Sequence, residues 1–183
     1  LAILRGDVQM VRKLLKLCPP LASINNNQGI TPLECAVKSD DVAIVTELIS
    51  AGADVNQIDT RGMPLIFYPL HNGLKTLTHI LVKAGARVDA RDAVGGTALF
   101  GALISGSIYA IEFCLECGID PQGKNIDNWT AMHALAYIRS FWSKTSPNHS
   151  KVKEATSKHE ACIRRLLCES DLLSKQDIHG WTP

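Results

Sequence analysis

The sequence predicts an all-α solenoid of stacked helix-turn-helix units, and three observations carry that reading. A turn glycine recurs at Gly29, Gly62 and Gly95, with both gaps equal to 33 residues. A helix-ending glycine recurs in step at Gly52, Gly85 and Gly118. Between them apolar residues return at helical spacing, as in Val42, Val45, Leu48 and Ile49, with Ile44 beside them. A fixed period of this size marks a repeat array, in which each unit buries its apolar face against its neighbours.

The stretch Asn26–Asn56 justifies each element of one unit. Gly29 ends a tight turn. Thr31 caps a helix, and Pro32 follows at its first position, where a missing N–H costs nothing. That helix, Pro32–Lys38, places Leu33, Ala36 and Val37 on one side. Ser39-Asp40-Asp41 breaks it and caps a second helix, which Gly52 ends in the left-handed conformation. Asp54-Val55-Asn56 leads into the next turn. The period extends beyond the glycines. Asn26, Asp59, Asp92 and Asn125 keep one register, and Thr31, Thr97 and Thr130 keep another. Asn128 falls where a fourth turn glycine is due, and asparagine tolerates the left-handed region.

Gly29-x-Thr31-Pro32-Leu33-x-x-Ala36, followed by Ile44-Val45-x-x-Leu48-Ile49-x-x-Gly52-Ala53-Asp54-Val55-Asn56, resembles the ankyrin repeat. The resemblance covers essentially the whole chain and implies helix pairs joined by β-hairpin turns. It divides residues 1–183, taken as one domain, into a partial repeat (1–25) and repeats at 26–58, 59–91, 92–124 and 125–176. Residues 177–183 open a further repeat. Both ends are expected to be cut from a longer array. Repeat 26–58 has Glu34 where the family carries a histidine, so its Thr–His link is expected to be absent there; His133 aligns with that histidine. Repeat 59–91 has Pro64 for the threonine and Pro69 for the helix alanine, which predicts a short or kinked first helix. Repeat 125–176 is 19 residues longer than 33, and the excess predicts a helical insertion at about 140–158.

Composition excludes several function classes. A net charge of +1 gives no field for nucleic acid or an anionic surface. No apolar run reaches a membrane-spanning length, so no membrane insertion is expected. Most of the six cysteines fall on apolar positions of the repeat, which favours a reducing, intracellular (cytoplasmic or nuclear) setting. Cys114-x-x-Cys117 is the one motif with a chemical name. A redox pair wants its first thiol at a helix N-terminus, and a zinc site wants a second pair. Neither condition is met, and no phosphate loop, nucleophile elbow or metalloprotease motif occurs. No catalytic residue, metal or cofactor is therefore expected, and no enzyme activity.

The resemblance instead implies partner-protein binding on a concave face lined by hairpin tips and first-helix ends. Those positions include Arg61, Met63, His71, Val94, Ile104, Ile126, Trp129, Tyr137, Ile138 and Trp181, polar at first and apolar or aromatic from Val94 onward. A competing reading packs Trp129 and Trp181 sideways on neighbouring hairpins and covers Tyr137 and Ile138 with the insertion. Asn56, in Leu48-x5-Asp54-Val55-Asn56, is similar to the site an intracellular asparaginyl hydroxylase modifies in this family; a turn role alone also accounts for it. The expected function is a protein–protein interaction scaffold, working as a monomeric array on another protein or a segment of its parent chain. The alternative is a targeting or autoinhibitory module of an enzyme, such as a ubiquitin ligase or kinase, whose catalytic domain lies outside this segment.

Overall fold

The computed structural model describes residues 2–134, 136 and 137. Ile138, Trp181, the insertion expected at about 140–158, the later helix of repeat 125–176 and the turn at 177–183 lie outside them. Seven α-helices follow one another among the described residues: α1 (Val8–Leu17), α2 (Pro32–Lys38), α3 (Val42–Ser50), α4 (Phe67–His71), α5 (Lys75–Lys83), α6 (Ala98–Ser105) and α7 (Ile108–Glu116). Residues 131–134 are again helical. Short 3-10 turns occupy Ile3–Arg5 and Pro19–Ala22. Extended pairing is confined, among the described residues, to isolated bridges from Ile58 to Pro64 and from Arg91 to Thr97. The fold is all-α.

Helix starts follow from local chemistry. The Thr31 hydroxyl accepts the Glu34 N–H at 3.0 Å, with Pro32 at the first position. Asp7 and Asp41 accept the N–H groups of Met10 and Ile44 at 2.9 and 3.0 Å. Each cap satisfies a donor the helix leaves orphaned. Helix ends use the left-handed glycines: Gly52, Gly85 and Gly118 have φ of 88°, 96° and 78°.

The residues fall into two compact units. The first joins Leu1–Pro69 with Leu74–Arg87. In it α3 lies against α1, α2 and α5, and buries Leu33, Ile44, Val45, Leu48, Leu77 and Leu81 almost completely. Full burial of each such side chain stabilises by about 1.5–3 kcal/mol. The second unit takes in Leu70–Gly73 and the described residues from Val88 onward. There α6 packs on α7, with Leu99, Leu103 and Ile111 fully buried. Leu115, although apolar, is only half-buried. It lies one residue past the buried Cys114, about 100° round the helix.

Helix α4 is short, and the cause is visible. Pro69 has no N–H for the Leu65 carbonyl. That carbonyl takes the Tyr68 N–H instead, at 3.3 Å and three residues on. Residues 65 and 66 form a turn, and the helix starts only at Phe67. Leu65, Ile66, Phe67 and Leu70 remain buried, so the segment keeps its packing without its first helical turn.

Candidate protein-binding surface

The hairpin tips are built by one device used four times. Asn26, Asp59, Asp92 and Asn125 each donate their N–H to a carbonyl four residues on, at 2.9 Å. Each side-chain oxygen then accepts two N–H groups, from residues two and four ahead, at 2.7–3.0 Å. Asp and Asn carry an acceptor at the length that folds back best in this way, and Ser or Thr do so more weakly. The fourth residue of each turn is left-handed: φ is 76° at Gly29, Gly62 and Gly95, and 63° at Asn128. For Asp59, burial pushes the carboxyl up. The Met63 and Arg61 N–H groups and the Arg61 side chain outweigh it and hold the group below the usual carboxylate range.

In the second unit two successive tips touch. The Ile126 N–H donates to the Val94 carbonyl at 2.9 Å. Glycine at 95 allows that approach, because a Cβ there would meet the Ile126 nitrogen at 3.3 Å. The Arg91 guanidinium ties the same region by donating to the Gly95 and Lys124 carbonyls at 2.6 and 3.1 Å. The first-helix ends add His71, Ile104 and Tyr137, one repeat period apart. His71 Nδ1 lies 3.1 Å from the Gly101 carbonyl, which can only accept, so Nδ1 carries the proton.

Exposure sorts the expected residues. Ile126 is 70% exposed, Tyr137 61% and Val94 48%; Ile104, Met63, Arg61 and His71 are also exposed. Trp129 is half-buried, its ring 5.5 Å from that of Tyr137, so it lies over its own repeat rather than standing free. Arg61 pairs with Asp59 at 3.3 Å. Arg61 and Met63 belong to the first unit, the other described residues of the set to the second. Ile108 was not expected. It is exposed at the start of α7, across the short turn from Ile104. Its register equivalents Val8, Val42 and Lys75 mix apolar and charged residues, so register carries little signal at this position.

The remaining candidates behave otherwise. Cys114 is buried, and burial, with Cys117 nearby, pushes its thiol up to about 12. Burial and Glu116 raise the Cys117 thiol too. Neither is an activated nucleophile. No group of three or more metal-ligating side chains converges among the described residues. The Asn56 side chain bonds the next repeat rather than its own turn, as the turn role had supposed. Nδ2 donates to the Gly85 carbonyl at 3.0 Å, and Oδ1 accepts the Arg87 N–H at 2.8 Å.

Known proteins agree with this geometry. Residues 1–59 match the family model for ankyrin repeats, in 3 copies. Those residues are ankyrin repeats, and the turn register described above continues through the described residues beyond them. The chain is 31% identical to the transient receptor potential cation channel subfamily A member 1 of Drosophila melanogaster, over 58% of this chain and 9% of that protein. It is 28% identical to the palmitoyltransferase Hip14 of Drosophila melanogaster, over 69% of this chain and 20% of the relative. It is 24% identical to the nuclear factor NF-kappa-B p105 subunit of Gallus gallus, over 73% and 14%. The array therefore spans a fifth or less of these relatives' lengths. Ankyrin repeats are protein-interaction modules without chemistry of their own. Among the described residues no helix is long and apolar enough to cross a membrane.

Proposed function

We propose that this array is an interaction scaffold that binds a partner protein through its concave face. The observation that carries the reading is the exposure of Val94, Ile126 and Tyr137 at hairpin tips and a helix end. Exposed apolar and aromatic side chains gathered on one face are what a binding hot spot requires. The proposed contact set is Val94, Ile104, Ile126, Trp129 and Tyr137, with Arg61, Met63 and His71; register adds Ile138 and Trp181. The array acts as a monomer inside the cell. Asn56 is proposed as a hydroxylation site, which a 16 Da adduct on its peptide from native cells would reveal and an unmodified peptide would dismiss.

A second reading makes the array a targeting or autoinhibitory module of a larger enzyme. Its support is the likeness to a palmitoyltransferase of which the array spans 20%. One experiment separates the two: capture from lysate with the parent and with an Ile126→Ser/Tyr137→Ser variant, both verified as folded by circular dichroism. Partners lost only by the variant support the scaffold. An unchanged partner set sinks the assignment to these residues. Capture of its own parent chain supports the second reading.

A further inference from the structure

The Arg91 guanidinium gives the second unit a charged anchor. In the first unit Arg12, Lys38 and Arg61 meet the carboxylates of Glu47, Glu34 and Asp59. Arg91 is exposed and, among the described residues, meets no carboxylate at ion-pair distance. Its Nη1 donates instead to the Gly95 and Lys124 carbonyls at 2.6 and 3.1 Å. A carbonyl accepts a hydrogen bond but leaves the charge in place. These two bonds spend Nη1 and fix the plane of the guanidinium. Nε–H and one Nη2–H lie parallel on the other edge, and that edge is the fork that takes a carboxylate by two bonds. The register equivalents in the first unit, Asn25 and Ile58, are uncharged, while Lys124 repeats the cation one period on.

The carboxylates at the same tips do not use this fork. Asp92 Oδ1 accepts the Val94 and Gly96 N–H groups, and Asp127 is exposed on the next tip, one residue past Ile126. Asp92 and Asp127 offset Arg91 and Lys124 at long range, so the site offers a carboxylate a fork rather than a field. Resting on the binding role proposed above, we infer that the partner segment bears an internal Asp or Glu whose carboxylate takes the Arg91 fork. Aliphatic side chains on either side of that residue cover Val94 and Ile126. The position is internal because Arg91 bridges the two hairpins whose tips carry these residues. An internal residue has neighbours in both directions to reach both tips, whereas a chain end has them in one. The guanidinium is already held, so little rotamer freedom is lost when the carboxylate arrives.

The test is selection of short random peptides from a display library on the 183-residue chain, with binding of the winners measured by fluorescence anisotropy. Winners should carry an Asp or Glu between aliphatic residues. Arg91→Gln, verified as folded by circular dichroism, should weaken them about tenfold or more, since a bidentate charged pair is stronger than a neutral hydrogen bond. Arg91→Lys keeps the charge without the fork and should weaken them less. Replacing the peptide's acid by its amide should cost as much on the parent and little more on Arg91→Gln. That change leaves the chain untouched, so it decides the matter even if Arg91→Gln does not fold. Winners without an acid, winners that keep their affinity when the acid becomes an amide, or no winners at all overturn the anchor. Affinity lost on amidation of the peptide's C-terminus alone overturns the internal position. Where Ile126→Ser weakens the winners and Arg91→Gln does not, the anchor falls and the contact surface stands. Binding indifferent to both substitutions overturns the surface as well.

Discussion

Glu34 is 97% buried, at the position that three periods later holds His133. The two sites solve one problem differently. At the later site the Thr130 hydroxyl lies 2.8 Å, and the Thr130 N–H nitrogen 3.2 Å, from His133 Nδ1. At the earlier one the Glu34 carboxylate reaches Lys38 at 2.6 Å, while Thr31 caps the Glu34 N–H. Glu34→His should rebuild the threonine–histidine link, because Thr31 and Thr130 share their register. The two threonine donors share the one Nδ1 lone pair, so the new three-centre hydrogen bond adds about 1–2 kcal/mol before side-chain ordering. Loss of the Glu34–Lys38 pair costs about 0.5 kcal/mol. Lys38 is left with little penalty, since its side chain is 36% exposed. The expected net gain is about 1 kcal/mol, read as a higher urea midpoint by far-UV circular dichroism. A cycle with Thr31→Val isolates the link. The threonine should couple to histidine by about 1 kcal/mol beyond its capping contribution in the parent. Destabilisation by Glu34→His, or a coupling of zero, would refute the view that the two sites are interchangeable.

Four further outcomes follow from the same geometry. Asn56→Ala removes the bonds to Gly85 and Arg87 and should cost about 1 kcal/mol, since both are exposed; an unchanged urea midpoint would show that the link is idle. Asp40 holds a left-handed φ of 54°, so Asp40→Gly should stabilise by about 0.5–1 kcal/mol in the same assay. The Asp59 carboxyl is held low when folded, so its stabilisation is complete above the unfolded-state pKa and is lost as pH falls through the folded value. Asp59→Asn keeps the acceptor oxygen, as Asn26 does, and should flatten the acid limb of the midpoint-against-pH curve; an identical limb would contradict the shift. Cys114 should resist iodoacetamide in the native chain while the exposed Cys18 reacts, as peptide mass mapping would report.

The legible part of this protein is the part written in backbone chemistry. A left-handed residue and a short side-chain acceptor are demanded at fixed places in every turn, so Gly29, Gly62, Gly95 and the Asn26 series stand out unaided. Thr31 before Pro32 and Asp41 before the second helix are equally local requirements. What the sequence could not show depends on distant partners. Proline at 69 announced a defect, yet only the diverted Leu65 carbonyl shows that the helix loses its first turn rather than bending. Asn56 looks like an ordinary turn residue until its amide is found on the following repeat, 29 and 31 residues away.

The same division decides which surface residues should carry recognition. Register alone places Ile126, Trp129 and Tyr137 together in the proposed contact set without ranking them. Their exposure in the structure separates them. Trp129 is half-buried against Tyr137 and follows directly on Asn128, whose left-handed backbone closes the turn. Its neighbour Thr130 is fully buried and bound to His133. Truncating Trp129 would therefore disturb the hairpin, the ring contact and the contact surface together, and a lost partner would have no single cause. Ile126 separates these effects. The residue is 70% exposed, and its link to Val94 runs through the backbone N–H, which survives Ile126→Ser. A serine there subtracts apolar surface from the tip and leaves the turn that presents it intact, so loss of binding at Ile126 would be a statement about recognition and not about folding.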